Sequence, residues 1–368
     1  MTGITANTLG EPLPTIAVTM GDPLGIGPEI VVKALSDPRL RRRARFVVYG
    51  MAEPMHYAAD LAEIDPYWRR VQHDSPITDT AIGAGVTVRD YDEYSLAGSP
   101  GRTGAAAAPT RLGGHASFRF VEDAILDCAR EPGDPLRVEG VVTAPICKES
   151  WSLAGRSRYP GHTELFATRL RARRSAMMFV SPTLKVVLVT AHAPLMDLRN
   201  LLTIGRIFDP IDLAHDAMRD LGFARPRIGV CGLNPHAGEH GLFGDEETRL
   251  IEPAIRALVD AGVDARGPFP ADTLFGRALA GEFDLVVAMY HDQGLIPVKL
   301  LEWRRAVNVT LGLPTVRTSP DHGTAFDIAG KNQADESSTR AALELAMDLA
   351  IGRRARDPDD QSVIATQR

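Results

Sequence analysis

The sequence predicts an α/β protein with mainly parallel sheets. Short, continuous apolar runs alternate along the chain with segments of helical periodicity, which is the order of elements in a βαβ architecture. Because these runs lack polar alternation, they are typical of strands that are covered on both faces. A Gly/Pro-rich turn at residues 21–27 joins the first run to a helix that begins at Pro28, where proline costs no hydrogen bond.

Each element follows from the same two periodicities. The predicted strands cover residues 15–20, 46–49, 140–143, 185–190, 227–231 and 284–289. The predicted helices begin at Pro28 and, further along, cover residues 116–130, 163–170, 209–221, 245–261 and 337–351. Residues 1–14 and 353–368 are predicted to be disordered termini. Residues 95–114, which are rich in Gly, Ala, Ser and Pro, are predicted to form a loop or linker.

Composition and charge exclude several classes of protein. The 368-residue chain, with 44% hydrophobic and 24% charged residues, is globular and long enough for two α/β domains. Its net charge of −6 argues against binding to nucleic acid or to a membrane surface. No signal peptide or bilayer-spanning apolar run is recognisable. The cysteines Cys128, Cys147 and Cys231 are too sparse for a disulfide framework or a thiolate zinc site, so we expect a cytoplasmic protein.

Three histidines follow predicted strands directly. His192, His236 and His291 each stand in the polar turn after a strand, where functional residues of open α/β sheets gather. Three imidazoles with an open position are what a catalytic zinc or a similar divalent ion requires. The alternative is that each histidine is a hydrogen-bonding loop residue, since no two of them have the close spacing of an H-E-x-x-H motif. Spacing alone leaves both interpretations open.

Two further features suggest an anionic ligand. The turn at residues 21–27 joins a strand to a helix N-terminus and is a candidate phosphate loop, but it matches neither G-x-G-x-x-G nor a P-loop and is equally a structural turn. Lys299, Asn308 and Arg317 follow the last histidine-bearing strand. Lysine and arginine there suit a phosphorylated or carboxylated substrate, although each taken singly is better interpreted as a surface residue.

Seven segments in this order resemble the 4-hydroxythreonine-4-phosphate dehydrogenase family. The similarity extends over about residues 15–352, and its specificity comes from the combination of segments. The matching residues are Thr19-Met20-Gly21-Asp22-Pro23 with Gly25-Ile26-Gly27-Pro28-Glu29, Pro160-Gly161-His162-Thr163-Glu164, Asn234-Pro235-His236-Ala237-Gly238-Glu239, Pro270-Ala271-Asp272-Thr273, Ala288-Met289-Tyr290-His291-Asp292-Gln293-Gly294, Asn308-Val309-Thr310-Leu311-Gly312-Leu313-Pro314, and Arg317-Thr318 with Asp321-His322-Gly323-Thr324-Ala325.

The resemblance implies a fold and an assembly. The fold is that of isocitrate and isopropylmalate dehydrogenases, with two α/β domains around a central cleft and a homodimer whose interface completes each site. We place the first domain at residues 15–140 plus 306–352 and the second at residues 141–305.

The resemblance also implies the roles of individual residues. The divalent metal, zinc or else magnesium or cobalt, is assigned to His192, His236 and His291. The substrate-binding positions are His162, Thr163, Lys299, Asn308 and Arg317. NAD is assigned to His322, Gly323, Thr324, Ala325 and Asp327, where Asp327 would favour NAD by accepting from the ribose hydroxyls and repelling a 2′-phosphate.

The reaction implied is a metal-dependent, NAD-linked oxidation of 4-phosphohydroxy-L-threonine, with decarboxylation of the 3-oxo acid, as in pyridoxal phosphate biosynthesis. Lys148, Asp292 and a metal-bound water are alternative proton acceptors for the substrate hydroxyl. The chain departs from the family at Cys147, where Asn or His is common, and at Glu302 and Ala306, where glycines are usual. These departures lie where they would alter the choice of substrate.

Other substrates and other classes of function remain as alternatives. D-threonate or D-erythronate 4-phosphate is favoured by residues 159–162 and 241–249, whereas Lys299 and Arg317 suit an unphosphorylated terephthalate dihydrodiol less well. An NAD-independent metal hydrolase would use the three histidines to activate water. A non-catalytic protein that binds phosphorylated metabolites would need no metal. The segment at residues 322–330 counts against both, because neither needs an adenosine site.

Overall fold

The computed structural model describes residues 12–75, 85–101 and 106–356. The described chain forms two compact units, a terminal unit made of residues before 173 and after 312, and a central unit of residues 173–312. Both contain parallel strands and helices, so the predicted α/β class is confirmed. Of the described helices, none combines the length and the apolar character that a membrane span requires.

The strands of the described chain are numbered in chain order. They are β1 (Thr15–Thr19), β2 (Arg45–Gly50), β3 (Trp68–Gln72), β4 (Val86–Asp90), β5 (Gly140–Thr143), β6 (Ala176–Val180), β7 (Lys185–Leu188), β8 (Ile228–Cys231), β9 (Ala265–Phe269), β10 (Leu285–Ala288), β11 (Val307–Leu311) and β12 (Val316–Pro320). All six predicted strands are present, with bounds that differ from the prediction by at most two residues at either end.

The helices of the described chain are numbered in the same way. They are α1 (Gly27–Leu35), α2 (Pro38–Arg41), α3 (Ala52–Leu61), α4 (Arg111–Cys128), α5 (Lys148–Leu153), α6 (His162–Arg169), α7 (Leu198–Leu201), α8 (Ile204–Asp220), α9 (Glu252–Asp260), α10 (Ala271–Leu279), α11 (His291–Glu302) and α12 (Ser337–Arg356). A short 3₁₀ turn occupies Leu195–Asp197, a turn with left-handed backbone conformation occupies Pro235–Gly241, and a π-helical turn, Glu247–Ile251, precedes α9.

The terminal unit contains a fully parallel sheet with the strand order β3-β4-β2-β1-β5-β12. Strand β1 lies in its middle and is buried at every residue, because its apolar run is covered on both faces. Helix α4 packs against β1, β2 and β5, and α12 packs against β5 and β12. The carboxyl ends of β1 and β5 therefore lie side by side, with Thr19 paired to Thr143.

The central unit contains a mixed sheet with the order β11-β6-β7-β10-β8-β9. Strands β7, β10, β8 and β9 are parallel to one another, whereas β6 is antiparallel to both β7 and β11. Ser181 closes the β6–β7 hairpin, because its amide and hydroxyl both donate to the carbonyl of Leu184, at 3.0 and 2.9 Å. The buried side chains of β7 and β10 form the core with residues of α10 and α11.

Three boundary predictions need correction. Residues 111–114 of the predicted linker belong to α4, whose cap Thr110 accepts a hydrogen bond from the Gly113 amide at 2.9 Å. The predicted disordered tail begins too early, since α12 continues to Arg356 and Arg354 pairs with Glu139. Residues 12–14 are also ordered, with the Pro14 carbonyl accepting from the Arg45 amide at 2.9 Å. Residues 1–11, 102–105 and 357–368 of these predicted segments lie outside the described residues.

The two units divide the chain at different points from the domains implied by the resemblance. Residues 141–172 belong to the terminal unit. The chain passes back from the central unit to the terminal unit after Gly312 instead of before Ala306. Helix α5 packs against α4, where the Trp151 indole donates to the Ser117 hydroxyl at 3.0 Å. Strand β11 pairs with β6 and so belongs to the central unit.

Candidate functional site

His192 and His291 lie next to each other at the carboxyl edge of the central sheet. His192 follows β7 and His291 begins α11 directly after β10. The two strands are parallel neighbours, with Leu188 paired to Ala288, so their ends meet at one edge. The centroids of the two imidazole rings are 6.0 Å apart. Since a zinc–nitrogen bond is about 2 Å long, this spacing leaves room for one ion between the rings.

Asp292 orients the ring of His291. Its Oδ1 atom lies 2.7 Å from Nδ1 of His291, which leaves the Nε2 atom of that ring available to a ligand. A histidine that binds a metal commonly donates its other ring nitrogen to a carboxylate in this way. Asp292, one of the candidate bases, is therefore engaged with His291 in this structure.

His236 lies in a turn of unusual backbone conformation. The five residues from His236 to His240 all have positive φ, between 41° and 79°. The left-handed conformation costs non-glycine residues on the order of 1–2 kcal/mol each, so it persists only where the surroundings impose it. Among the described residues, no three side chains of His, Cys, Asp or Glu are grouped so that they could hold a metal ion. His236 thus does not complete a set with His192 and His291 here, and the three-histidine site stays a prediction.

Gln293 ties the turn after β10 to the turn after β8. Its Oε1 accepts from the Met289 amide at 2.6 Å, and its Nε2 donates to the Gly232 carbonyl at 2.9 Å. It therefore links the segments that carry His291 and His236. The sequence gives no signal for this role beyond the position of Gln293 two residues after a strand-end histidine.

Lys299 and Asn308 are the other predicted site residues of the central unit. Lys299 lies exposed in the last turn of α11. Asn308 lies on β11, and its Oδ1 is buried without a hydrogen-bond partner among the described residues. Because buried acceptors are normally paired, this oxygen is suited to accept from a ligand.

Arg317 places a positive charge inside the terminal unit. It lies on β12, is 3% exposed, and donates from Nη2 to the Thr143 hydroxyl at 2.7 Å. Burial lowers the pKa of Arg317 to about 10, so the guanidinium remains protonated at neutral pH. A buried cation of this kind is suited to an anionic ligand, which the fork of the guanidinium binds with two hydrogen bonds.

His162 begins α6 close to this cation. Burial lowers the pKa of His162 well below its usual range, and the charge of Arg317 lowers it further, so the imidazole is neutral. Its Nε2 is buried and has no hydrogen-bond partner within the described chain. Thr163 follows in the same first turn, where the helix dipole favours anions. His162 and Arg317 therefore lie close enough for the charge of one to act on the other, and Thr163 follows His162 in the chain. Their role in binding the substrate stays a prediction.

Lys148 lies beside the same helix start. It begins α5 and is exposed, and a Cβ placed on Gly161 would lie 3.9 Å from its Cε. Lys148, one of the candidate bases, thus lies near the start of the helix that carries His162.

The turn at residues 21–27 packs against the segment predicted to bind NAD. The Ile26 amide donates to the Thr324 carbonyl at 2.9 Å, and a Cβ placed on Gly25 would lie 2.9 Å from the same oxygen. Only glycine therefore allows this approach. The turn therefore has a structural role, since it supports residues 321–330. This role was one of the two interpretations that the sequence alone left open.

Residues 321–330 retain polar groups for a ligand. The Nδ1 atom of His322 lies 3.2 Å from the Gly323 carbonyl, while its Nε2 is buried with no partner among the described residues. Ala325 has a positive φ of 41°, and Asp327 is exposed. A cavity with about 510 Å³ of empty space, part of it open to solvent, lies beside this segment, between Leu24, α3 and Gly330. The cavity thus borders the end of the segment predicted to bind NAD.

Comparison with known proteins gives a consistent result. The family model of the pyridoxal phosphate biosynthetic protein PdxA matches residues 42–346. The 4-hydroxythreonine-4-phosphate dehydrogenase of Beijerinckia indica is 45% identical over 338 residues, which cover 91% of this chain and 95% of that protein. The D-threonate 4-phosphate dehydrogenase of Cupriavidus necator is 43% identical over 355 residues, with coverage of 94% and 100%.

A solved structure agrees with the sequence relatives. The crystal structure of 4-hydroxythreonine-4-phosphate dehydrogenase from Klebsiella pneumoniae matches with a TM-score of 0.75 and 40% identity, over 92% of this chain and 99% of that one. The resemblance deduced from the seven segments is confirmed. The chain belongs to the pyridoxal phosphate biosynthetic protein PdxA family.

Proposed function

We propose that this protein is a metal-dependent, NAD-linked dehydrogenase that oxidises 4-phosphohydroxy-L-threonine, with decarboxylation of the 3-oxo acid formed. The observation that carries the proposal is the buried guanidinium of Arg317 beside the neutral imidazole of His162. A cation in the protein interior is best stabilised by an anion, and the relatives named above act on phosphorylated hydroxy acids.

The terminal unit would bind the anionic part of the substrate. Arg317 offers the positive charge of its guanidinium, which also donates to the Thr143 hydroxyl. His162 offers an unpaired ring nitrogen, and Thr163 a hydroxyl in the first turn of α6. Lys148 is the side chain we propose to accept the proton of the substrate hydroxyl, because it lies near His162 and Asp292 is bonded to His291.

The central unit would hold the divalent metal. His192 and His291 present imidazoles 6.0 Å apart, and Asp292 fixes the ring of His291, so the donor set fits zinc or a similar ion. When bound, such an ion polarises the hydroxyl and then the carbonyl of the substrate. His236, presented by its turn, would be the third metal ligand. Lys299 and the unpaired Oδ1 of Asn308 would offer further polar contacts to the substrate.

Residues 321–330 would bind NAD, which accepts the hydride. The unpaired Nε2 of His322 and the exposed carboxylate of Asp327 are suited to the polar groups of the adenosine part. The carboxylate of Asp327 would accept from ribose hydroxyls and repel a 2′-phosphate, which favours NAD over NADP.

A homodimer is also proposed, from an apolar stripe on the central unit. Ile296, Leu300 and Trp303 are spaced by four and three residues at the end of α11, so they lie on one face, and they are 57%, 81% and 64% exposed. Exposed apolar surface of this kind marks protein–protein contacts. A second copy of the chain is the partner we propose for it.

D-threonate 4-phosphate is the second candidate substrate. It is favoured by the relative from Cupriavidus necator and by residues 159–162 and 241–249. Both substrates are hydroxy acids that carry a phosphate, so the same residues would bind either one.

The deciding experiment measures the absorbance of reduced NAD while the purified protein receives each substrate in parallel, with zinc or magnesium added. Turnover of 4-phosphohydroxy-L-threonine that a chelator abolishes is the expected result. Turnover of D-threonate 4-phosphate alone would make the second candidate correct. If neither compound yields reduced NAD from protein that binds metal, the phosphorylated substrate is wrong and the dihydrodiol is the next compound to test.

A further inference from the structure

The backbone that carries His236 is shaped around one buried carboxylate. Glu247 begins the π-helical turn Glu247–Ile251 and is 3% exposed. Its Oε1 accepts hydrogen bonds from the backbone amides of Leu233 and Asn234, both at 2.8 Å. Its Oε2 accepts from Nδ2 of Asn234 at 3.0 Å. These donors lie in the segment that leads from β8 into the left-handed turn.

Two glycines leave the space that this carboxylate fills. A Cβ placed on Gly238 would lie 2.7 Å from Oε2 of Glu247, and one placed on Gly232 would lie 3.1 Å from Oε1. The carboxylate therefore sits inside the loop of residues 232–238, with His236 on its outer side, where the ring is exposed. A buried side chain that contacts both ends of a loop fixes the path of the backbone between them.

We propose that Glu247 is a positioning residue, whose carboxylate holds residues 232–240 in the left-handed conformation that presents His236. Its importance for metal binding rests on the proposed function, in which His236 is a metal ligand. A residue that orients a ligand from behind commonly changes metal affinity about 10- to 100-fold when it is removed. A π-helical turn at this point agrees with the proposal, since such turns often accompany functional positions.

A glutamine cannot replace Glu247 without loss. The carboxamide keeps one acceptor for the two backbone amides but turns an NH₂ group towards Nδ2 of Asn234, which is also a donor. Reversing the Asn234 amide would then turn its oxygen towards the carboxylate of Glu246, which Nδ2 now contacts at 2.7 Å. Each arrangement leaves a buried polar group without a partner.

The test compares Glu247→Gln with the matched control Glu246→Gln, using the full chain with and without zinc. Glu246 contacts the same Asn234 side chain but no backbone amide of the loop among its described contacts, and an amide oxygen at that position still accepts. Amide hydrogen exchange of peptides covering residues 232–243 measures the loop without any metal. Calorimetric titration with Zn²⁺ measures metal affinity.

We expect Glu247→Gln to exchange about tenfold faster in this loop and to bind Zn²⁺ about 10- to 100-fold more weakly, with Glu246→Gln unchanged in both. Equal loop exchange in the two variants would overturn the proposal. If the wild type binds no Zn²⁺ but Glu247→Gln still loosens the loop, the metal part of the proposed function fails and the positioning role stands. Should Glu247→Gln not fold, Asn234→Ala removes the Nδ2 contacts to Oε2 of Glu247 and to Glu246 but keeps both backbone amides on Oε1. With Glu246→Gln as the reference for the second contact, Asn234→Ala is expected to raise loop exchange by a smaller factor than Glu247→Gln, and unchanged exchange would overturn the proposal.

Discussion

Arg317 on β12 donates a hydrogen bond to the hydroxyl of Thr143 at the end of β5, 2.7 Å away, although both side chains are buried. The two residues come from parts of the sequence 174 residues apart. Their contact places a permanent positive charge at the carboxyl edge of the terminal sheet. We attribute substrate binding to this charge, and the first prediction concerns its removal.

Arg317→Met is expected to lower kcat/KM for the phosphorylated substrate about 100-fold, because the anion loses its charged partner. The melting temperature is expected to stay level or to rise, since an apolar side chain replaces a buried charge. Steady-state kinetics and thermal unfolding check the two expectations. Arg266→Met, at an exposed ion pair with Asp264, is the control and should change neither quantity. A large fall in stability with unchanged kinetics would assign Arg317 a purely structural role.

His162 is expected to make the protein less stable in mild acid. Its pKa in the folded protein lies well below the ordinary value of 6.5, so the unfolded chain binds the proton more readily. The free energy of unfolding therefore falls as the pH drops below about 6.5, by at most about 1.4 kcal/mol per pH unit from this residue. Urea unfolding at pH 7 and pH 5 should show a smaller loss for His162→Gln than for the wild type. An equal loss in both would show that His162 does not titrate below its usual range.

Asp292→Asn is expected to weaken zinc binding about 10-fold or more, because His291 loses the carboxylate that orients its ring. Calorimetric titration with Zn²⁺ provides the measurement. Asp272→Asn, on the exposed first turn of α10, serves as the control. If Asp292→Asn binds zinc as the wild type does while His192→Ala does not, the carboxylate plays no part in the site.

Leu300→Glu is expected to convert the proposed dimer into a monomer, since it places a charge in the centre of the stripe on α11. Sedimentation velocity measures the change in mass. Leu126→Glu is the matched control, because Leu126 is 64% exposed on α4 of the terminal unit. A wild-type protein that sediments as a monomer would contradict the proposed assembly outright.

Asp327→Ser is expected to raise the ratio of kcat/KM for NADP to that for NAD by about tenfold or more, because the repulsion of the 2′-phosphate disappears. Initial rates with the two cofactors give the ratio. The exposed Asp335 lies outside the predicted NAD segment, and Asp335→Ser should leave the ratio as it is. A ratio that does not change in Asp327→Ser would remove Asp327 from the cofactor site.

The sequence predicts the buried centre of each sheet better than its edges. Strands β1, β5 and β10 are continuous apolar runs, so periodicity identifies them. Strand β3 is largely exposed, and β12 carries Arg317 inside the sheet, so neither has the apolar pattern of a core strand. Their place in the fold depends on pairing with distant strands, which local sequence does not encode.

The candidate site shows the same limit. Strand-end reasoning selected His192 and His291, and they meet because β7 and β10 happen to be neighbours in the sheet. Nothing in the sequence indicated that Arg317 is buried, since a single arginine is normally a surface residue. The positive φ values from His236 to His240 were equally unreadable, because four of these five residues are not glycine.

The pairing of β5 with β12 has a consequence for synthesis on the ribosome. Strand β12 and helix α12 complete the terminal unit, but they are translated only after the whole described central unit has emerged. The central unit is one continuous stretch and can fold as soon as it leaves the exit tunnel. Until then, one edge of β5 has no partner strand. Its unpaired backbone groups are open to chaperones or to other nascent chains. A strand that is translated late thus completes a sheet that is translated early.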